Sequence, residues 1–297
     1  MTLRPASDAD IPAMERFLAT YAETSMFLRS NLASHGLHEM RHPHGTRFWV
    51  FGSDSEKPDP AAPDSPAALS GVFGATNGGF LMLQAPGIDP RVFVDWAAAL
   101  KGHLFRGITG DDPQVRRALA ALRLRSDLFR TNHAEPLYRL ELDRLDAPEE
   151  TMRPALPEDH AMLTDWYTNY LIDTGLTDDL TEAREEGAAR AVAAAKPGAE
   201  RLLIENGRPV AAASINAQVE DMVQLGGVFV PKQARNKGLA RRVTAARLAE
   251  ARKAGARVAI LFANNAAAAR AYEAIGFRRI GAYRVALLKS SQLIGGG

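Results

Sequence analysis

Short apolar runs of β-branched and aromatic residues alternate along this chain with amphipathic stretches of helical period. The same succession occurs twice. Residues 3–21, LRPASDADIPAMERFLATY, align without gaps on 152–170, MRPALPEDHAMLTDWYTNY. Arg4, Pro5, Ala6, Asp10 and Tyr21 meet Arg153, Pro154, Ala155, Asp159 and Tyr170. Each copy predicts a short strand, a turn with an acidic helix cap, and an amphipathic helix. RFWVFG (47–52) and RLLIENG (201–207) read as strands opening hairpins, and ALSGVFGA (68–75) and PVAAASINA (209–217) as the next strands. PQVRRALAALRL (113–124) matches AAAARAYEAIGF (266–277) near the end of each copy. Several matches in one order predict two copies of a single α+β unit.

The join falls where DAPEE follows the strand LYRLEL (137–142). The expected division is a first domain over 1–145, a linker over 146–151, a second domain over 152–290 and a frayed tail over 291–297. SDSEKPDPAAPDSP (53–66) reads as a mobile hairpin loop.

Composition narrows the classes. A 297-residue chain with 46% hydrophobic residues suits two domains of ordinary size. The absence of cysteine removes disulfides, thiolate catalysis and thiolate zinc sites. No secretory leader pattern and no long apolar run is present, so a cytoplasmic location without membrane contact is expected. A net charge of +1 gives no global pull toward nucleic acid. Local charge differs, because residues 232–257 are markedly basic.

That segment carries the chemistry. Leu225 to Val230 reads as a strand stopped by Pro231, followed by Arg235-Asn-Lys-Gly238-Leu-Ala240 and a helix to Lys253. Leu239, Val243 and Ala246 share one face of that helix, with Leu248 off it. A strand, a glycine turn and a helix start form an anion site, since the first N–H groups of a helix lack internal partners. Gly238 lets backbone approach a phosphate, and Arg235, Lys237, Arg241 and Arg242 add positive charge. The alternative is a solvated basic helix behind a tight turn.

Arg-x-x-Gly-x-Ala after a strand resembles the acetyl-CoA signature of the GNAT superfamily of N-acetyltransferases. Gly-Gly-Val-Phe-Val-Pro before it resembles a bacterial tandem subset with a degenerate N-terminal lobe. Asn265, Tyr272 and Gly276-Phe277 resemble the superfamily's downstream motif. The resemblance implies tandem domains, each a mixed, mainly antiparallel sheet flanked by helices, in which the second binds acetyl-CoA as co-substrate. It implies that Val228, Phe229 and Val230 line the arm through the backbone, and that Asn236, Lys237, Gly238, Leu239 and Ala240, with Arg235 and Arg241, hold the pyrophosphate. Asn265 would contact the arm, and Tyr272 would protonate the departing thiolate. Read structurally instead, Asn265 is a helix cap and Tyr272 a packed aromatic.

A primary amine would attack the thioester directly, after losing its proton. Glu220 is the candidate base, with Asp221 beside it; both also suit a hairpin turn. Gln224 can only position. The acceptor is a small-molecule amine or a protein or peptide amine, and the sequence allows a homodimer. In the first copy Leu119 stands at the position of Tyr272 and Arg123 at that of Gly276, so that copy is expected to be inactive. His35, His38, His42 and His44 match no metal spacing, so no metal is expected. Two rivals remain: a non-catalytic acyl-CoA-binding module and a nucleic-acid binder using the basic helix.

Overall fold

A computed structural model describes residues 1–52, 68–195 and 200–295; the loop expected over 53–66 lies outside them. The first copy runs β1 (Thr2–Pro5), α1 (Ile11–Thr20), α2 (Met26–His35), β2 (Thr46–Gly52), β3 (Leu69–Thr76) and β4 (Phe80–Gln84). It continues with α3 (Pro90–Ala99), β5 (Leu104–Asp111), α4 (Asp112–Leu122) and β6 (Phe129–Glu141). The second repeats that order as β7 (Met152–Pro154), α5 (His160–Asp173), α6 (Leu180–Ala194), β8 (Glu200–Glu205), β9 (Arg208–Val219) and β10 (Met222–Phe229). It ends with α7 (Leu239–Lys253), β11 (Val258–Phe262), α8 (Ala266–Glu273) and β12 (Arg278–Leu293). Helices α2, α3 and α6 stand where the sequence pattern names none. The Ala- and Glu-rich α6 in particular draws no clear apolar stripe.

The repeat is physical as well as sequential. Arg4 grips Asp10 with two parallel hydrogen bonds of 2.6 and 2.7 Å. Arg153 grips Asp159 the same way at 2.6 and 2.8 Å. Each aspartate also accepts a backbone N–H three residues back, from Ser7 and from Leu156, both at 2.9 Å. The aligned Arg and Asp thus lock strand to helix start in both copies.

The compact units divide the chain differently from the repeat: Met1–Ala134 with Ala282–Gly297, and Glu135–Gly281. Each copy gives its last strand to the other unit's sheet. The first unit orders its strands β1-β2-β3-β4-β5-β12, and the second β7-β8-β9-β10-β11-β6. LYRLEL therefore does not close the first domain; Leu137 to Glu141 pair antiparallel with Phe262 to Val258, and Tyr138 and Leu140 enter the second unit's core. Nor is the end of the chain a frayed tail throughout, since Gln292 and Leu293 pair with Phe105 and Leu104. The open edges of β5 and β11 require partners, and these strands provide them.

Within each unit strand alternation feeds two cores. In the second, Leu202 and Ala212 pack with Trp166 and Ala191 beneath α5 and α6. Leu203, Ala211 and Ala213 pack with Leu239 and Val243 of α7 on the other face. Helix α7 buries a wider face than the sequence suggests, including Thr244, Ala245 and Leu248. In the first unit Met14, Leu18, Leu28 and Leu32 cover one sheet face, and Val92, Phe93, Trp96 and Val115 the other.

Two outcomes follow from this architecture. Arg4→Ala leaves the fully buried Asp10 carboxylate without its cation and should cost about 3 kcal/mol in urea unfolding. Truncation after Gly281 removes β12, and with it Ala286 and Leu288 from the first unit's core. Limited proteolysis should then degrade the first unit while the intact chain resists.

Candidate functional site

Strands β10 and β11 are parallel but pair over only three positions, Met222↔Val258, Val223↔Ala259 and Gln224↔Ile260. β10 continues to Phe229 and β11 to Phe262, so the two part beyond Gln224 and Ile260. The other edge of β10 stays on β9, with a register break between Gly226 and Phe229. The break follows from two glycines. A Cβ on Gly226 would lie 2.0 Å from Asn216 Nδ2, and one on Gly227, at φ +60°, would lie 2.8 Å from Ser214 Oγ. Only glycine permits this close approach and this backbone turn. Gly226, Gly227 and Val228 are half-exposed in an otherwise buried strand. Parting strands with a bulge leave backbone donors and acceptors facing a slot.

The slot leads to the start of α7. Gly238 is the helix N-cap at φ +75°, and no side chain caps it. The space before it is open, since a Cβ there would find only Arg241 Nη2, at 3.9 Å. Asn236 is also left-handed, at φ +63°. Asn236, Lys237, Gly238 and Arg241 are exposed, Ala240 is half-buried, and Leu239 turns its side chain into the core. The residues fit a diphosphate: backbone N–H groups at a 15-residue helix start, with two cations beside them.

Not every cation is available. Arg235 donates to the Val230 carbonyl at 3.1 Å and to Asp173 at 2.5 Å, and Lys232 pairs with Asp173 at 2.9 Å. Although burial opposes it, these partners hold the Asp173 carboxyl below its usual range. Arg235 thus braces the loop on α5 and occupies the Val230 carbonyl. Arg242 binds Glu150 at 2.6 and 2.7 Å and also Glu205. Arg247 and Arg201 share Glu250, and Arg252 donates to the carbonyls of Leu142 and Leu145. Much of the basic segment is thus tied to acids and carbonyls of its own unit.

Tyr272 is 7% exposed and packs in one cluster with Val228 and Phe277. Its hydroxyl has no hydrogen-bond partner among the described residues. Burial, reinforced by Tyr170 and Glu135, pushes its pKa up, so the phenol keeps its proton. Phe229 is core, against Trp166 at 5.5 Å and Tyr170 at 6.5 Å between ring centroids. Asn265 caps α8, accepting from Ala268 N at 2.8 Å.

Glu220 does not join this group. It sits exposed in the β9–β10 turn at φ +51°, and eight residues of strand, roughly 25 Å, separate it from Val228. Asp221 lies in the same turn, where its carbonyl accepts from Arg257 and Val258. Gln224 is buried and donates to the Leu225 carbonyl at 2.8 Å.

A carboxylate the sequence did not signal lies closer. Glu200, 4% exposed, pairs across the sheet with Ser214, which pairs with Gly226 at the bulge. Glu200 accepts from Tyr167 OH at 2.9 Å and from Ser214 Oγ. Burial pushes its carboxyl up to about 7, against the opposing pull of these hydrogen bonds. As a single Glu at the edge of a strand it has no motif to betray it. A cleft of ≈ 460 Å³ in the same unit is bounded by Met162, Asp165, Trp166, Asn169, Phe229 and Lys232.

The first unit has the same frame with its openings closed. Strands β4 and β5 also pair over three positions, Phe80↔Gly107 to Met82↔Thr109. Ala85, three residues past the last pair, donates its N–H to Gln114 Oε1. At the start of α3 the Asp89 carboxylate accepts from Arg91 N at 2.8 Å, putting an anion where a phosphate would lie. A cleft of ≈ 590 Å³ in this unit, bounded by Leu37, His38, Trp49 and Asp95, contains none of these features. His35 and His42 stack at 4.2 Å, and among the described residues no cluster is arranged to hold a metal. No described helix is long and apolar enough to cross a membrane.

Comparison with known proteins agrees with this geometry. The model of the acetyltransferase (GNAT) family matches residues 160–277. A solved Drosophila protein is 14% identical over 96% of this chain and 98% of its own, at a TM-score of 0.59. A GCN5-related N-acetyltransferase from Sphaerobacter thermophilus is 15% identical over 100% of this chain and 96% of its own, at 0.54. A tandem GNAT protein of the clavulanic acid biosynthesis pathway is 13% identical over 100% and 99%, at 0.50. At such identities the likeness is one of fold. No curated protein matches the chain. Residues 160–277 thus match the acetyltransferase (GNAT) family, and the chain as a whole has the fold of tandem GNAT proteins.

Proposed function

We propose that the second unit transfers an acetyl group from acetyl-CoA to a primary amine. The observation that carries this is the slot between β10 and β11 ending at the uncapped Gly238 turn. The slot accepts an extended arm along the β10 backbone as an added strand would be accepted, and the turn suits its diphosphate. Asn236 to Ala240 hold that diphosphate with their backbone, while Lys237 and Arg241 supply charge. Arg235 serves from behind by fixing the loop.

Two chemical tasks fall to residues of this unit. The Val228 N–H, beside the bulge, donates to the carbonyl oxygen as negative charge develops there. The nitrogen of the amine forms its bond to the acyl carbon as the carbon–sulfur bond breaks. Tyr272, kept protonated by burial, gives its proton to the sulfur. A purely binding module would need the slot but not an unbonded, neutral phenol beside it, which favours catalysis. The amine enters from the cleft at Trp166, Asn169 and Phe229, whose aromatic floor suits a small amine or the exposed end of a peptide. A cytoplasmic setting, where acetyl-CoA is made and used, fits this role, and assembly as a homodimer is compatible with it.

Calorimetric titration should show acetyl-CoA binding to the intact chain; absence of binding ends this reading. Gly238→Ala, strained at φ +75° and narrowing the turn, should raise Kd about tenfold or more. Thiol release over a panel of primary amines then measures turnover. Tyr272→Phe should lower kcat roughly 10²-fold while leaving acetyl-CoA affinity near that of the wild type; unchanged turnover would transfer the acid role elsewhere.

A further inference from the structure

Glu200 has no part in the tasks above, yet its surroundings are built around it. One carboxylate oxygen, Oε2, accepts from Tyr167 OH at 2.9 Å and from Ser214 Oγ. The other, Oε1, is fully buried and has no partner among the described residues. An unpaired buried carboxylate oxygen is costly and calls for a function. The side chain lies on the α5 face of the sheet, in step with Leu202 as Ser214 is in step with Ala212. Ser214 Oγ stands between this carboxylate and the bulge, 2.8 Å from where a Gly227 Cβ would be. A path of two atoms therefore connects Glu200 to the point where β10 opens to the slot. Tyr170, packed on Phe229, feels the charge of Glu200.

We propose that Glu200 takes up the proton of the incoming ammonium through the Ser214 hydroxyl. This rests on the acetyl-transfer reading and supplies the base that the Glu220 turn does not. The ammonium gives one proton to Ser214 Oγ while the proton of Ser214 passes to Glu200 Oε2. The freed amine attacks the acyl carbon, forming the nitrogen–carbon bond, and the carbon–sulfur bond breaks with its electron pair on sulfur. Sulfur takes the Tyr272 proton, and the second proton lost by nitrogen restores the phenol. Glu200 then releases its proton to solvent, so one amide, one thiol and one proton leave per turn.

The charged and titratable groups around Glu200 are Tyr167 and Tyr170 of α5, Arg190 of α6 and Arg247 of α7. Arg190 is committed to Glu186 at 2.6 Å. Both tyrosines are held protonated by burial, so neither competes for the proton at neutral pH. The carboxyl itself, pushed up to about 7, can both receive and release a proton there.

The test follows thiol release with the fastest amine of the panel, from about pH 5.5 to about pH 9. The wild type should rise about tenfold per pH unit on its acid limb and level off near the Glu200 value of about 7. Glu200→Gln keeps the shape and the two donors but should flatten that limb and lower the plateau roughly 10²-fold, with acetyl-CoA binding intact. Tyr167→Phe removes a hydrogen bond that favours the ionised carboxylate, so its limb should move to higher pH with the plateau largely kept. Thermal melts without substrate give a second reading. A carboxyl raised above its unfolded value of 4.5 contributes stability that is present at low pH and lost as pH rises through about 7. The wild type should therefore lose Tm relative to Glu200→Gln between about pH 5 and about pH 8. A Tm difference that does not change with pH overturns the proposal, as does a Glu200→Gln variant that keeps the acid limb. Wild-type protein that transfers to no amine of the panel overturns the acetyl-transfer reading itself.

Discussion

Everything the second unit offers chemically depends on the ladder between β10 and β11 stopping after three pairs. Parallel strands in a covered sheet normally remain paired, because each unpaired backbone group buried between them is costly. Here Gly226 and Gly227 draw β10 tightly onto the Ser214 and Asn216 side chains of β9, and the bulge swings the strand away from β11. The slot is thus a consequence of how closely β10 approaches its other neighbour. A side chain at either glycine would collide with β9, so the opening and the missing Cβ atoms are one feature.

The first unit illustrates what closes such a frame. Its β4 and β5 part in the same register, but Gln114 satisfies the Ala85 N–H, and Asp89 satisfies the start of α3. Side chains there do for the backbone what a bound ligand would do in the second unit. Leu119 stands in the aligned position of the Tyr272 phenol. The frame is kept while these backbone groups are satisfied from within the unit.

Charge in the second unit is apportioned by the same logic. The basic run near α7 would suggest a diffuse cationic surface, yet Arg235, Arg242, Arg247 and Arg252 each meet an acid or a carbonyl of their own unit. They fix the helix and its leading loop in place. Lys237 and Arg241 stay exposed at the open turn. Residues that look alike in sequence are thus divided into braced and exposed ones.

By itself the sequence determined the duplicated unit, the strand–turn–helix at Gly238 and the place of Tyr272 on a helix ahead of Gly276-Phe277. These are local features, set by periodicity, by glycine at left-handed positions and by spacing along one helix. The tertiary structure alone decided which copy owns which last strand, since LYRLEL and the chain's end read as strands for any partner edge with a matching apolar face. It also decided where each acid stands relative to the bulge. Glu220 and Glu200 are equally plain as letters; their difference is that a hairpin turn places one roughly 25 Å along the strand from the bulge, while cross-strand pairing through Ser214 places the other beside it. Burial, which raises the Glu200 carboxyl and keeps the Tyr272 phenol neutral, is a property of packing between elements distant in the chain, and no stretch of residues encodes it locally.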